Sequence, residues 1–589
     1  MKFYPSAKHK LTIWLYWFLM VFMLVILVFP ILEEGFTLPI ILISIFHLVF
    51  IIFFITILFN TNYTIQNEEF VTEKVRKIEV QPTMSRSFEA LNEIPDYSKD
   101  HKVDFNFDLS KPQALVLPGI QTNVLGPRTG EELKSPYASK AKNSIKIGAG
   151  NYGHTLLNGH FGYNPTAKEL RGLYINHDAN SIGPTDNAFS SRSENEVKIY
   201  SQSLWSKALL KGSLDYRRIA TNFYGKESIP ANTPEDAFGV RYDQIKFNGD
   251  VYSQTEGKKF SYQAGTEFSS LAGNLAPKEW MSTSYVKANY AISEGLSLRI
   301  DGNAILSNFT SNTSTNRNFF RLKPSLSYDV LPRLNLQAGI NAVQEEELSI
   351  YPSVQVRFRA NDFIRLFAGF EGDTQFNSYH SSLLTNPWLS QSITLQNTQQ
   401  KWAVSGGLTG TNERNVSYEL KATYGEYAKM AFFTASAADL SQFDIQYSTA
   451  DAAVSVLSLQ ANVKMTVTDK IQSDLQVDYT NYGNLGNFLY AYHRPNIQIA
   501  WRNSIAVLPK FKVSPEIYYL GGLYGFNPRT QKATTLDNIV DINVKGEYAI
   551  TEKLTATLSA NNIVGKNYQR YLFYPTQGFN FTATLAYSF

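Results

Sequence analysis

The sequence predicts an all-β transmembrane barrel of roughly 20–22 antiparallel strands, preceded by an N-terminal two-helix hydrophobic hairpin. Three observations predict the barrel. Alternating apolar and polar runs recur from about residue 143 to the end of the chain. Short turns that resemble one another return about every 40 residues, which leaves room for two strands and one longer loop. Aromatic residues reach 14%, whereas charged residues make up only 18%.

Composition narrows the class further. The 589 residues are too many for one ordinary globular core, so the chain forms several domains or one very large barrel. The absence of cysteine excludes disulfides and thiolate metal sites. The net charge of +3, without a basic stripe, gives no indication of nucleic-acid binding. Mean hydropathy is −0.21, which fits a barrel because only alternate residues face lipid, although an aromatic-rich soluble β protein is the alternative.

Residues 1–72 predict a helical transmembrane hairpin. The segments 11–32 and 36–59 carry no charged residue, and each is long enough to span a bilayer as a helix. Lysines and arginines flank the pair on both sides, so the positive-inside rule places both ends in the cytoplasm and the hairpin in the inner membrane. The motifs around Met1–Ser6 and Phe59–Asn67 resemble the start of small bacterial PH-like membrane proteins.

Such a hairpin conflicts with a barrel that follows it, since it would hold the chain in the inner membrane. Three explanations are open: an unusual tether, an insertion that departs from the rule, or a reading frame that joins fragments of two genes. We favour the gene fusion.

Residues 73–142 form a Pro-rich extended segment that leads into the barrel. Frequent prolines and turn residues interrupt it, and no amphipathic period persists. A disordered linker is the alternative interpretation.

Residues 143–589 are the predicted barrel. The clearest alternating run places its apolar residues on one face: Leu296, Leu298, Ile300, Gly302, Ala304 and Leu306. Similar turns begin at Tyr290, Tyr328 and Tyr548, which predicts a girdle of tyrosines at the short-turn side. The longer polar stretches are predicted as outer loops: 181–195, 226–241, 308–318, 377–400, 484–490 and 525–535.

The last strand alternates almost without fault and ends on an aromatic residue. It resembles the assembly signal of bacterial outer-membrane barrels, which that resemblance assigns to Phe579, Phe581, Leu585, Tyr587 and Phe589. The resemblance implies an outer-membrane location, with outer-membrane lipid and the barrel-assembly machinery as partners.

The hairpin before the C-terminus resembles the end of TonB-dependent receptors, closest to those of Bacteroidetes-type bacteria. The matching residues are Asn561, Asn562, Tyr568, Tyr574, Pro575 and Gly578. The family usually has Gly-Arg where this chain has Gly578-Phe579. The resemblance implies a receptor or porin-like pore for solute or nutrient uptake.

Receptors of this family carry a plug domain before the barrel, and residues 73–142 are too few and too Pro-broken to form one. A wide lumen must therefore be filled in another way. The candidates are the barrel's own loops, the 73–142 segment, or a partner protein. The resemblance implies a plug-supplying, lipoprotein or TonB-type partner.

No catalytic motif is visible, and we predict no enzyme activity, cofactor or metal. A metal site at His154 and His160, with His177 nearby, is disfavoured because scattered histidines are common in barrel walls. Charged residues on or near strands are predicted to line the lumen: Arg299, Asp301, Arg357, Arg359 and Arg365. The alternative to uptake is a structural or assembly subunit of an envelope complex; an outer-membrane enzyme is the third and least favoured hypothesis.

Overall fold

The computed structural model describes residues 143–589, apart from 164–168, 186, 206–207, 227–232, 235–236, 254–258, 362, 412–415, 450–452 and 469. The predicted hairpin (1–72) and the Pro-rich segment (73–142) lie outside these residues. In the described part of the chain, no helix is both long enough and apolar enough to span a membrane.

The described residues fold almost entirely into strands. In chain order they are β1 (Ser144–Gly150), β2 (His154–Tyr163), β3 (Glu169–Asn180), β4 (Arg192–Leu204), β5 (Ala208–Asn222), β6 (Gly239–Ser253), β7 (Phe260–Gly273), β8 (Lys278–Ser293), β9 (Leu296–Thr310), β10 (Ser314–Leu331), β11 (Leu334–Gln344), β12 (Leu348–Arg359), β13 (Ile364–Gln375), β14 (Thr398–Thr411), β15 (Val416–Ala428), β16 (Ala431–Ala435), β17 (Phe443–Tyr447), β18 (Val454–Thr468), β19 (Ile471–Gly483), β20 (Ile497–Leu508), β21 (Phe511–Gly521), β22 (Tyr524–Asn527), β23 (Lys532–Thr535), β24 (Ile539–Ala549), β25 (Leu554–Asn561), β26 (Gln569–Tyr571), β27 (Tyr574–Pro575) and β28 (Asn580–Ser588). A 3-10 helix spans Asn187–Ser190, and one α-helix, α1, spans Tyr379–Thr385.

Twenty-two of these strands form one closed antiparallel sheet, which confirms the predicted barrel and the upper end of its predicted strand number. The sheet closes where β1 pairs with β28, from Ser144 opposite Ser588 to Gly150 opposite Thr582. The remaining strands form three short hairpins, β16–β17, β22–β23 and β26–β27, which lie in loops of the barrel.

The two faces of the barrel wall differ as the alternation predicts. Large apolar side chains are exposed on the outer face, where a membrane would cover them, as at Ile245, Phe247, Ile340 and Leu585. The intervening residues face the lumen and are mostly polar or small, although Ile305, Phe319 and Val343 form an apolar cluster there near the long-loop end. Arg299, Asp301, Arg357, Arg359 and Arg365 alternate with the outward apolar positions, which places them on the lumen face as predicted.

Short turns and long loops occupy opposite ends of the barrel. Tyr290, Tyr328 and Tyr548 lie beside the short turns with exposed rings, as expected of a membrane-boundary girdle. Five of the predicted outer loops do lie at the long-loop end, although neighbouring strands take several of their terminal residues.

The prediction of a loop over 308–318 was wrong. Strands β9 and β10 continue to Thr310 and from Ser314, so only 311–313 turn. The polar side chains of this stretch satisfy one another across the strands, since Asn308 Nδ2 donates to Asn316 Oδ1 over 2.8 Å. This polar stretch can therefore form paired strands, and the hairpin extends beyond the part of the wall that faces lipid. Two further long loops, 429–453 and 562–579, are absent from the predicted set.

The orientation of the wall can be tested with adjacent residues on opposite faces of β14. Val404 is 50% exposed on the outer face, and Ser405 faces the lumen. We expect Val404→Arg to destabilise the folded barrel in lipid by about 2–4 kcal/mol, because a charge in hydrocarbon is poorly solvated. Ser405→Arg should cause a much smaller loss. Urea titration of folding into lipid vesicles measures both, and equal losses would contradict this orientation.

Candidate functional site

Four loops at the long-loop end fold over the mouth of the barrel and share a buried apolar core. We call them together the lid: residues 223–238, 376–397, 429–453 and 562–579. The described core residues include Tyr224, Leu383, Trp388, Phe443, Tyr571 and Tyr574. Because apolar residues from separate loops bury one another, the lid is a packed unit rather than a set of independent loops.

Trp388 lies at the centre of the lid, with 1% of its surface exposed. Its ring stacks on Tyr574 with centroids 3.8 Å apart, and the edges of Tyr224 and Tyr571 approach within 5.7 and 5.8 Å. The indole Nε1 donates a hydrogen bond to the Asn222 carbonyl oxygen over 3.0 Å. One side chain thus connects three of the four loops and the end of β5.

Polar contacts join loops that start far apart on the circumference. Lys226 Nζ lies 2.9 Å from a carboxylate oxygen of Asp439. Strands β6 to β15 separate their two loops, which is ten of the 22 barrel strands and nearly half of the ring. The Tyr224 hydroxyl donates to the Pro575 carbonyl oxygen over 3.1 Å, and the Tyr574 hydroxyl donates to the Ser441 carbonyl oxygen. These contacts cross the mouth rather than follow its rim.

The 376–397 loop is anchored to the inner wall through helix α1. Ser378 caps the helix, since its hydroxyl accepts a hydrogen bond from the Ser381 amide over 2.9 Å. Glu279 reaches from the lumen face of β8, and its carboxylate accepts the Tyr379 and His380 amides at 3.1 and 3.0 Å. The carboxylate thus satisfies helix amides that would otherwise be unpaired, and the negative charge suits the helix N-terminus.

The residues of the family-like closing hairpin lie in the lid. Asn562 adopts a left-handed conformation with φ of 46°. Its backbone amide donates to the side-chain oxygens of Asp541 and Asn543 on the lumen face of β24. Its side chain donates to the Lys566 and Gln577 carbonyl oxygens over 2.9 and 2.8 Å. Asn562 therefore turns the chain off β25 and fixes both ends of the last loop.

The other hairpin residues occupy different places. Asn561 lies on the barrel wall, where Nδ2 donates to Asn580 Oδ1 over 2.9 Å. Tyr568 and Tyr574 are buried, and the Pro575 carbonyl oxygen accepts from Tyr224. Gly578 lies near Tyr152 at the rim, since an added Cβ there would be 3.5 Å from the Tyr152 hydroxyl.

The residues of the proposed assembly signal share the outer face of the last strand. Phe579, Phe581, Leu585, Tyr587 and Phe589 are all exposed there, and Thr582 and Thr584 between them are buried on the lumen side.

The structure separates the three histidines considered for a metal. His154 and His160 face the lumen, six residues apart along β2. His177 lies on the opposite face, where Nε2 contacts the Thr155 hydroxyl at 3.0 Å. The described residues contain no cluster of histidine and carboxylate groups suited to a metal ion.

Below the lid, one sector of the lumen wall carries paired charges. Arg192 and Asp178 lie 3.1 Å apart, Lys198 and Asp215 3.4 Å, and Lys246 and Glu267 3.4 Å. Small neutral residues line the sector where the barrel closes: Thr555, Thr557, Ser559, Thr582 and Thr584. The wall thus offers a polar surface to a solute in the lumen.

Two buried histidines make the covered mouth of the barrel sensitive to acid: His380 lies in the lid, and His493 lies in the 484–496 loop, which packs beside it. Burial lowers the pKa of His380 from 6.5 to about 3, and the positive charges of Lys246 and Arg217 act in the same direction. Burial likewise lowers the pKa of His493 to about 3, although the hydrogen bond to the Arg570 carbonyl oxygen opposes it. Both rings are neutral in the closed lid at pH 7, whereas exposed rings would begin to bind protons near pH 6.5.

We expect the lid to lose stability as pH falls from about 6.5 towards 3, because protons bind an opened lid before they bind the closed one. At pH 4 the loss is roughly 3 kcal/mol per histidine. Limited proteolysis of the folded barrel at successive pH values would measure it. His380→Gln should weaken the dependence and His177→Gln should not. Equal lid protection at pH 7 and pH 4 would contradict this prediction.

The barrel is similar in fold to several proteins of known structure. No protein-family model and no curated protein matches the chain. Solved structures do match. The match to a point mutant of the ferric enterobactin receptor PfeA of Pseudomonas aeruginosa spans 77% of this chain and 81% of that receptor. The identity is 10% and the TM-score is 0.56.

Two further structures agree. The siderophore receptor PirA of Acinetobacter baumannii gives a TM-score of 0.59 at 8% identity, covering 77% of this chain and 81% of PirA. FpvAI, solved in complex with pyocin S2, gives 0.56 at 11% identity, covering 77% of this chain and 73% of FpvAI. The predicted resemblance to TonB-dependent receptors is confirmed at the level of the fold: residues 143–589 have the barrel architecture of siderophore receptors.

Proposed function

We propose that the protein is an outer-membrane receptor-type barrel that takes part in the uptake of a solute or nutrient. One observation carries the proposal: a closed barrel of 22 strands encloses a lumen with a polar wall, and a packed lid covers one end of it. Its structural neighbours are receptors for siderophores, which supports uptake as the function of this fold here too.

The lid gives this proposal its mechanism. Its apolar core and the Lys226–Asp439 contact cover the mouth at the long-loop end, so a solute cannot enter the lumen freely there. Entry requires the lid loops to separate, which exposes the rings around Trp388 to water. Solute binding would favour opening only if the solute bound the open arrangement more tightly than the closed one.

The partners follow from the same proposal. Outer-membrane lipid would cover the exposed apolar face, and the barrel-assembly machinery would bind the aromatic last strand. A TonB-type, lipoprotein or plug-supplying partner would act on the lumen. We also propose that residues 73–142 form an extended segment and residues 143–589 the barrel. The 1–72 hairpin, an inner-membrane element by its charge pattern, would be joined to them by a gene fusion.

The role of the lid can be tested by conductance in planar bilayers. Trp388→Ala removes the central ring, and a large-to-small change in a core of this kind costs about 3–5 kcal/mol. We expect this variant to conduct more, and with larger fluctuations, than the wild-type barrel. Trp205→Ala, at a ring that is 64% exposed beside a short turn, is the matched control. If the Trp388 variant folds but stays closed, the structural-subunit alternative gains support instead.

The domain arrangement can be tested by mass spectrometry of the native protein from separated inner and outer membranes. We expect an outer-membrane species that begins after about residue 72 and shifts on gels when heated, because barrels resist detergent without heat. A full-length chain with Met1 in the inner membrane would contradict the outer-membrane assignment.

A further inference from the structure

Two arginines are buried at the mouth of the barrel without a counter-ion: Arg570 lies in the lid, and Arg494 lies in the neighbouring 484–496 loop. Arg494 is 5% exposed and Arg570 is 3% exposed. No carboxylate among the described residues lies within ion-pair distance of either guanidinium group. A buried charge without a partner costs several kcal/mol, so evolution and folding tolerate it only where something compensates it.

Three of the hydrogen-bond donor nitrogens of these two groups have no partner among the described residues. Arg494 donates from Nε and Nη2 to the Ala431 carbonyl oxygen over 3.2 and 2.7 Å, and its Nη1 has no partner among the described residues. The Tyr571 hydroxyl interacts with the Arg570 guanidinium, although neither Nη1 nor Nη2 of Arg570 reaches a described acceptor with hydrogen-bond geometry. Buried guanidinium nitrogens of this kind require an acceptor, and an unmet set of them points to a bound ion.

The two guanidinium groups belong to one neighbourhood. His493, next to Arg494 in the chain, is linked to Arg570, since Nδ1 lies 3.3 Å from its carbonyl oxygen. The His493 ring lies 5.1 Å from the Tyr571 ring, and the Arg570 guanidinium carbon lies 5.8 Å from the same ring. The Arg494 guanidinium carbon lies 5.5 Å from the ring of Phe432, and the ring of the next residue, Phe433, lies 6.5 Å from the Tyr571 ring. The two arginines thus adjoin the same group of aromatic rings.

The backbone at this place is strained. His493 has φ of 58°, a left-handed conformation that a residue with a Cβ seldom adopts. Its Nε2 atom, like the arginine nitrogens, has no described partner, and the ring is 1% exposed. Strain of this kind concentrates at binding sites, where the surrounding structure holds it in place.

We propose that an anion-binding site lies at Arg570 of the lid and Arg494 of the neighbouring 484–496 loop, and that it takes an oxyanion such as a phosphate or carboxylate group. A planar guanidinium donates two parallel hydrogen bonds to such a group, and two guanidiniums together neutralise its charge. The ligand would be the free ion or the anionic group of a larger solute. In the second case the site rests on the proposed function and makes the solute acidic.

The test is isothermal titration calorimetry of the full-length protein in detergent with inorganic phosphate, at constant ionic strength with chloride as the competing ion. We expect saturable binding to the wild type. Arg570→Gln and Arg494→Gln should each weaken it at least about tenfold, since each loses a charge-assisted contact. Lys532→Gln removes an exposed positive charge from the β22–β23 hairpin and should leave binding unchanged.

The same experiment checks that each variant is folded and which class of anion the site binds. Arg570→Lys keeps the charge but loses the forked geometry, so it should bind with intermediate affinity, and a heat-modifiability gel confirms that each variant is folded. Acetate, titrated in parallel, distinguishes a site for any oxyanion from one that requires phosphate. Absence of saturable binding to the wild type, or binding that both glutamine variants retain, would overturn the proposal. This experiment measures binding and not transport. A barrel that binds phosphate but never conducts would therefore contradict the proposed uptake function and leave the anion site standing.

Discussion

The pairing of the first barrel strand with the last is the constraint on which the rest of the structure depends. Residues Ser144 to Gly150 pair with Ser588 to Thr582 along the whole of β1, and the Phe589 amide adds a bond to the Asn143 carbonyl oxygen. Hydrocarbon offers no partner to an open sheet edge, so a membrane barrel must close. Closure also fixes the circumference, and the circumference decides which loops can meet over the mouth.

The aromatic residues of the chain serve two structural purposes. Some, such as Tyr290 and Tyr548, lie exposed near the short turns, where aromatic rings suit a membrane boundary. Others, such as Trp388 and Tyr574, are buried in the lid. Composition alone suggested the first purpose. The second explains why a barrel needs large rings in its loops, since few other side chains bury enough area to hold loops from opposite sides together.

The strands could be predicted because a period of two is a local property, readable in runs such as Leu296 to Leu306. The lid could not. Its 429–453 loop carries Phe432, Phe433 and Phe443, so it lacks the polar composition that marked the other loops. Its partners lie hundreds of residues away, and no local pattern indicates them. Resemblance singled out Asn562 and Tyr574, but only the fold shows that the first turns the chain and the second stacks on Trp388.

The contacts across the mouth have a consequence for the order of folding. Tyr224 and Pro575 are 351 residues apart in sequence, and Lys226 and Asp439 are 213 apart. Contacts of such high sequence separation are slow to form unless the intervening chain is already organised. Here the intervening chain is the barrel wall itself. The lid therefore assembles after the last strand has joined the first, and an intact lid reports that insertion of the barrel is complete.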